Sequence, residues 1–292
     1  MIDKLEMFII LAREQHFGRA SEAIGITQPS LSAAMRQLED TLGVTLVRRG
    51  TRFQGLTPEG ERLLDWAQRI VGDVKTMRAE FHSARNGLTG QLRLGIIPTA
   101  ISRANDLVLP LMERHGQLQI SLATLSNDDI LTRLEEMRLD VGLIYQSQVP
   151  TKFEQIPLYR EKLLVVAHAE HPLMRKDLIA WEDLSDEPLC LLSSNMRNRA
   201  IVWGHLTAAG RTKAPRLEAD NLLSLLYQVK AGHLVTVIPD GLAALMGDLQ
   251  GMTCKSLPGD GDVVSLVTSA RQPRKPAVEA FLSRAGAHFA GE

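Results

Sequence analysis

The chain has 292 residues, 45% of them hydrophobic and 23% charged, with a formal net charge of -1 at pH 7. That length gives two or three domains enough residues to bury cores of their own, and the composition excludes disordered, fibrous and disulfide-stapled classes. A global basic excess, the usual electrostatic footprint of a nucleic-acid binder, is missing, so any such activity has to come from local placement.

The amino-terminal stretch MIDKLEMFIILAREQ mixes acidic with apolar residues and has no small-residue cleavage site. It is expected to be neither a signal peptide nor a membrane anchor. Leu5, Phe8, Ile9 and Ala12 recur at helical spacing and predict a first helix, with Phe17 plugging a small core behind it. Ala20, Ala23 and Ile24 then precede a break at Gly25, and the apolar period resumes at Leu31, Met35, Leu38 and Leu42. Two short helices meeting at an angle are the simplest solution. Thr27 is placed to cap the second and Pro29 to occupy its first turn, where a missing N–H costs nothing. Gly43 is placed to end it. Its outward positions, Ser30, Ser32, Ala33, Arg36 and Gln37, are small or polar, which suits a helix that must sit deep in a DNA major groove. Helix-turn-helix chemistry is the functional reading, and an ordinary surface helix is its bland competitor. Val44 to Phe53 predicts a hairpin around Gly50, a wing whose Arg49 and Arg52 are candidates for phosphate or minor-groove contact.

Thr57, Pro58 and Glu59 form a start signal for the next helix. Leu63, Ala67, Ile70, Val74, Met77, Phe81, Ala84 and Leu88 follow in it at spacings of 4, 3, 4, 3, 4, 3 and 4. That is a heptad seam, and it predicts a partner helix, most simply from a second copy. Residues 1–62 hold eight basic and eight acidic side chains, so phosphate attraction rests on the cluster at Arg48, Arg49 and Arg52 and on several copies of the head.

Taken together, Thr27-Gln28-Pro29-Ser30-Leu31-Ser32, Leu38-Glu39, Leu42-Gly43-Val44, Leu46, Arg48-Arg49 and Leu56-Thr57-Pro58-Glu59-Gly60 resemble the DNA-binding region of LysR-type transcriptional regulators, without a gap over about sixty residues. The resemblance implies DNA-binding residues at Thr27, Gln28, Pro29, Ser30, Ser32, Arg36, Arg49 and Arg52. It departs from the family at Ala33, where arginine is frequent, which shifts specificity toward Gln28, Ser32, Arg36 and the wing. Inverted-repeat promoter DNA, a helix-paired dimer, a homotetramer and RNA polymerase at the promoter are the partners it implies.

Beyond Gly87 and Gly90 the pattern changes to alternating strands and helices. Strands are predicted at 92–97, 119–125 and 141–145 with helices at 101–114 and 128–138 between them. A second set follows, with strands at 163–167, 189–192 and 234–238 and helices at 198–209 and 221–231. A last strand at 263–268 and helix at 276–288 have the look of a return to the first set. The fold class expected is α/β, with an N-terminal all-α winged helix-turn-helix domain at 1–57 and a long linker helix at 58–89. The effector domain at 90–292 resembles the periplasmic-binding-protein-like part of the same regulators. Its subdomain I would take about 90–161 and 266–292, and subdomain II about 162–265.

Ligands in such sheets bind beyond the carboxyl ends of strands, in the crevice between subdomains. That rule selects Thr99 and Ala100, Asn127, Tyr145, and Ser193, Ser194 and Asn195, with Arg197 or Arg199 in reach. Hydroxyls, amides and helix N-termini beside an arginine suit a small anion, most simply a carboxylate, although each residue also suits a plain helix cap. Pro188-Leu189-Cys190-Leu191-Leu192, Arg197-Asn198-Arg199 and Leu64-Asp65-Trp66-Ala67 are similar to LysR-type regulators associated with formate dehydrogenase operons, which implies formate or another acid of one to four carbons.

Cys190 and Cys254 lie in different predicted strands, so a reduced, cytoplasmic protein is expected, and a redox switch would need the two thiols to meet. The eight histidines form no metal-ligand spacing, and no nucleophile elbow or phosphate loop is present. No cofactor and no catalysis are expected. The competing functions are a constitutive DNA-binding protein whose α/β part only oligomerises, and an α/β enzyme with a helical extension.

Overall fold

The computed structural model describes residues 1–48, 53–146, 149–242 and 251–289. The chain divides into two compact units, Met1–Arg85 and Asn86–Glu292.

In the first unit, α1 (Ile2–Glu14), α2 (Phe17–Ile24) and α3 (Gln28–Leu42) enclose a core of Leu5, Phe8, Leu11, Ala20, Leu31, Met35 and Leu38. The second and third helices start and stop on residues suited to the job. The Nδ1 atom of His16 accepts from the amides of Gly18 and Arg19, and Thr27 accepts from the amide of Ser30. Gly25 and Gly43 close α2 and α3 at φ 79° and 69°, a conformation that favours glycine. The predicted stripe on α3 is corrected at its end: Leu42 is exposed, and the residue that turns inward is Glu39. Its Oε1 accepts from the amides of Leu46 and Val47 at 2.8 and 3.3 Å, which ties the start of the wing to the third helix. Among the described residues the base of the wing is held by a bridge between Val47 and Leu56, reinforced by the Arg48 amide donating to the Gly55 carbonyl. The predicted tip residues Arg49 and Arg52 lie outside the described residues.

Helix α4 (Pro58–Asn86) begins as expected, with the Thr57 hydroxyl accepting from the Gly60 amide and donating to the Thr45 carbonyl. The heptad seam divides. Ala67 is buried in the head's own core, with Leu63 packed against it and Val71, outside the seam, joining it. Trp66, Ile70, Met77 and Phe81 are exposed in the single chain.

The second unit is built on a mixed six-stranded sheet in the order β2-β1-β3-β8-β4-β7, formed by β1 (Gly90–Ile96), β2 (Leu118–Thr124), β3 (Val141–Tyr145), β4 (Phe153–His168), β7 (Thr236–Pro239) and β8 (Met252–Ser269). The first three strands run parallel, with α5 (Ile101–Arg114) and α6 (Asn127–Glu135) as crossovers. The remaining pairings are antiparallel. A two-stranded parallel sheet, β5 (Cys190–Leu192) with β6 (Leu217–Ala219), continues from β7 through a bridge between Leu189 and Val235. The helices α7 (Arg197–Ala208), α8 (Leu222–Lys230) and α9 (Pro276–Phe289) complete the unit.

The main departure from the sequence reading is the length of β4 and β8, sixteen and eighteen residues, which run through both subdomain cores. One core gathers around β1, β3 and α9, and two more lie on opposite faces of β4, β5 and β7. Where the two long strands pass from one core to the next, their pairing shifts register at residues 157–164. Such irregularities re-aim side chains. The inner end of the parallel strands is locked by Asp140, whose carboxylate accepts from the Arg93 amide and guanidinium and from Lys275. Burial alone would raise its pKa, but the hydrogen bonds and charges of Arg93 and Lys275 hold it below the usual carboxylate value.

Candidate functional site

Two sites follow from the two units. On the head, Thr27, Gln28, Pro29 and Ser30 are exposed around the start of α3, Arg36 is exposed further along it, and Ser32 is half-buried. A helix presenting small residues, one glutamine and one arginine outward, held by a buried carboxylate at its far end, has the shape and chemistry for the major groove.

In the second unit a small closed cavity of about 10 Å³, room for one water-sized molecule, is lined by Ile97, Pro98, Thr99, Ser126, Asn127, Tyr145, Leu192, Met196, Arg197 and Asn198. Each segment comes from the carboxyl end of a strand: β1 leads to Thr99, β2 to Ser126, β3 ends on Tyr145 and β5 leads to Met196. Two helices begin at its wall. α6 is capped by Ser126, whose hydroxyl accepts from the Asp129 amide, and α7 opens on Arg197 and Asn198. Free N–H groups at such termini favour an anion.

The polar groups form one buried network. The Tyr145 hydroxyl is 3.0 Å from Thr99 Oγ1, donates to Glu161 Oε2 at 2.8 Å and accepts from Asn198 Nδ2 at 3.3 Å. Asn127 holds the Tyr145 backbone, donating to its carbonyl and accepting from its amide. Glu161 stands in the bulged stretch of β4 and is 1% exposed. Burial, then the nearby Asp240 and Asp262, push its carboxyl up to about 7 against the opposing pull of the Tyr145 and Thr99 hydroxyls. Burial and Glu161 together raise Tyr145 well above its ordinary value, so it stays a neutral donor.

Of the effector residues selected from the sequence, Thr99, Asn127 and Tyr145 line the cavity together, and Ala100 is buried just behind Thr99. Ser193, Ser194 and Asn195 do not line it: Ser193 is bonded through its amide to Ala219, and Ser194 and Asn195 face solvent. The chain delivers Met196, Arg197 and Asn198 there in their place. Arg199 is buried elsewhere, paired with Glu218 at 3.2 Å and stacked on Trp203. Arg197 reaches the cavity but is bound to Asp262 at 3.1 Å. Glu161 and Asn198 were not selected. Glu161 lies in the charged run Tyr159-Arg160-Glu161-Lys162, which carries no strand alternation, and only the pairing with β8 turns it inward.

The cysteines are separated by the sheet itself. Leu189 bridges Val235, Thr236 pairs with Val166, and Val166 with Cys254. Cys190 and Cys254 are thus three strand spacings apart, about 14 Å, where a disulfide needs Cα atoms within about 7 Å. Cys190 is fully buried, and burial pushes its thiol up to about 11. His168 and His171 accept from the amides of Glu170 and Leu173, the role of turn caps. Among the described residues no group of three His, Cys, Asp or Glu could hold a metal, and no helix is long and apolar enough to cross a membrane.

A helix-turn-helix head on a chain whose α/β unit holds a small cavity at its strand ends has the layout of a ligand-responsive DNA-binding regulator. Comparison with known proteins narrows that class. Residues 2–61 match the bacterial regulatory helix-turn-helix protein, lysR family, and residues 85–290 the LysR substrate binding domain. The chain belongs to the LysR family of bacterial transcriptional regulators, which bind DNA, respond to small molecules and form oligomers. A probable hydrogen peroxide-inducible genes activator of Streptomyces viridosporus is 33% identical over 240 residues, 81% of this chain and 76% of that protein. The DNA-binding transcriptional dual regulator OxyR of Escherichia coli K12 is 28% identical over 239 residues, 82% and 78% of the two chains. Among solved structures, a full-length OxyR from Pseudomonas aeruginosa with a cysteine replaced by aspartate superimposes with a TM-score of 0.76 at 25% identity, covering 98% of this chain and 94% of that one. CbnR in complex with its target DNA shares the fold, with a TM-score of 0.64 at 20% identity over 98% of both chains.

Proposed function

We propose that this regulator reads an inverted-repeat promoter site through Gln28, Ser32 and Arg36 of paired heads, and that its effector is a one-carbon carboxylate, formate. The cavity carries the effector reading. It offers two helix N-termini and the hydroxyl and amide groups of Thr99, Tyr145 and Asn198. Its volume, with room for one water-sized molecule, excludes acids of several carbons, and formate enters only as the cavity walls part.

Hydrogen peroxide, the inducer in the names of several relatives, is the second reading. Peroxide chemistry at a thiol needs thiolate. A Cys190 thiol pushed up to about 11 and far from Cys254 argues against that route.

The test is a thermal melt and a promoter footprint of the full-length protein with formate, acetate, oxalate and hydrogen peroxide. Formate is expected to raise the melting temperature and change the footprint. Thr99→Val should weaken that response at least tenfold, the loss of one or more hydrogen bonds to an ion. A footprint that responds to peroxide alone would sink the proposal.

A further inference from the structure

An anion site is ordinarily built from donors and positive charge, yet the group at the centre of this network is a carboxyl. Glu161 Oε2 accepts from Tyr145, while its Oε1 is buried without a hydrogen-bond partner. The groups that face it from the surrounding elements give it little compensation. Tyr145 on β3 and Thr99 after β1 are neutral, and Asp240 after β7 and Asp262 on β8 are acidic. Of the guanidinium groups around it, Arg197 on α7 lines the cavity and is bound to Asp262, Arg160 donates to the Gly261 carbonyl, and Arg103 on α5 lies over the Tyr159 ring, while the Lys162 amide is taken by Asp240. An anion in the cavity would stand across the Tyr145 hydroxyl from an ionised Glu161 and add a further negative charge to a buried site, which is unfavourable.

We propose that Glu161 is the proton gate of this site: a carboxylate effector enters together with one proton, which water delivers to the unpartnered Oε1 of Glu161. The proposal rests on the reading of the effector as a small acid. The protonated carboxyl removes the repulsion and gains an O–H donor, with no bond other than that O–H formed. The protein therefore responds to the product of acid and proton concentrations. It selects monocarboxylates over dicarboxylates, whose second charge has no proton waiting. The value of about 7 for this carboxyl places the change within ordinary cellular pH.

Calorimetric titration of the full-length protein with sodium formate, in pairs of buffers with different ionisation enthalpies, measures the proton directly. Uptake should approach one proton at pH 8 and fall to roughly a tenth at pH 6, and affinity should drop about tenfold between those two pH values by linkage. Glu161→Gln, neutral at every pH, should bind formate with a flat pH profile and no uptake. Formate bound at pH 8 without proton uptake by the wild type overturns the gate and leaves the effector reading standing. That measurement does not depend on the variant folding. Absence of any formate heat or melting shift from pH 6 to 8 overturns the effector reading, and the gate with it.

Discussion

At the scale of single residues, the two buried carboxyls with shifted pKa values, Glu161 and Asp140, move in opposite directions. Glu161 is raised, so its favourable contribution is complete below the ordinary glutamate value and is lost as pH rises through about 7. The loss at full ionisation is on the order of 3 kcal/mol. Calorimetric melts of the effector unit should therefore fall from pH 6 to pH 8 in the wild type, and the fall should be much smaller in Glu161→Gln. Asp140 is lowered by Arg93 and Lys275, so its contribution is present at neutral pH and lost only as pH falls below the ordinary carboxylate value. A glycine shows the same dependence on neighbours. A Cβ on Gly60 would stand 2.1 Å from the Leu46 carbonyl oxygen, where α4 passes the base of the wing. Gly60→Ala should destabilise the head by about 1–3 kcal/mol, read from a denaturant melt of the protein, although the position is helical and alanine is the better helix former.

At the scale of elements, the third helix was legible because its signals are local. Thr27, Pro29 and Gly43 mark its ends through their own backbone chemistry, and each does so in the folded chain. If it enters the groove as proposed, Gln28→Ala should cost about 1–3 kcal/mol in specific DNA binding and less in non-specific binding. Arg36→Ala should weaken both and flatten the salt dependence, as competition and salt titrations would report. The linker helix was legible as a helix, but its seam was not legible as one surface. A heptad cannot say which apolar positions the same chain covers, and the head's core takes Ala67 together with Val71. The row of Trp66, Ile70, Met77 and Phe81 is the part this single chain leaves exposed, and we propose that a second subunit covers it. Met77→Glu with Phe81→Glu should shift the oligomer to monomer in sedimentation and lose most affinity for an inverted repeat. The long strands were read short for a related reason. β4 and β8 lose their alternation at the bulges around residues 157–164, and that stretch carries three consecutive charges, Arg160, Glu161 and Lys162.

At the scale of the whole molecule, a regulator of this kind must couple a ligand to its DNA contacts. Effector binding can do this only through a difference in affinity between two states. Gel-shift bending of promoter fragments with and without saturating formate should give different angles, and Asn198→Ala should remove the difference while leaving DNA binding intact. The sequence by itself determined the class of protein, the helix-turn-helix, its caps, the linker helix and the alternation of strands and helices. All of these are written in short-range chemistry: side-chain period, backbone conformation and capping groups within a few residues. It also pointed to the strand ends, where Thr99, Asn127 and Tyr145 line one cavity. Only the tertiary structure decided that Glu161 faces inward, that Met196 to Asn198 rather than Ser193 to Asn195 close the cavity, and that the cysteines stand three strands apart. Those facts depend on register between strands about a hundred residues apart, and a one-residue slip in such pairing sends a side chain to the opposite face.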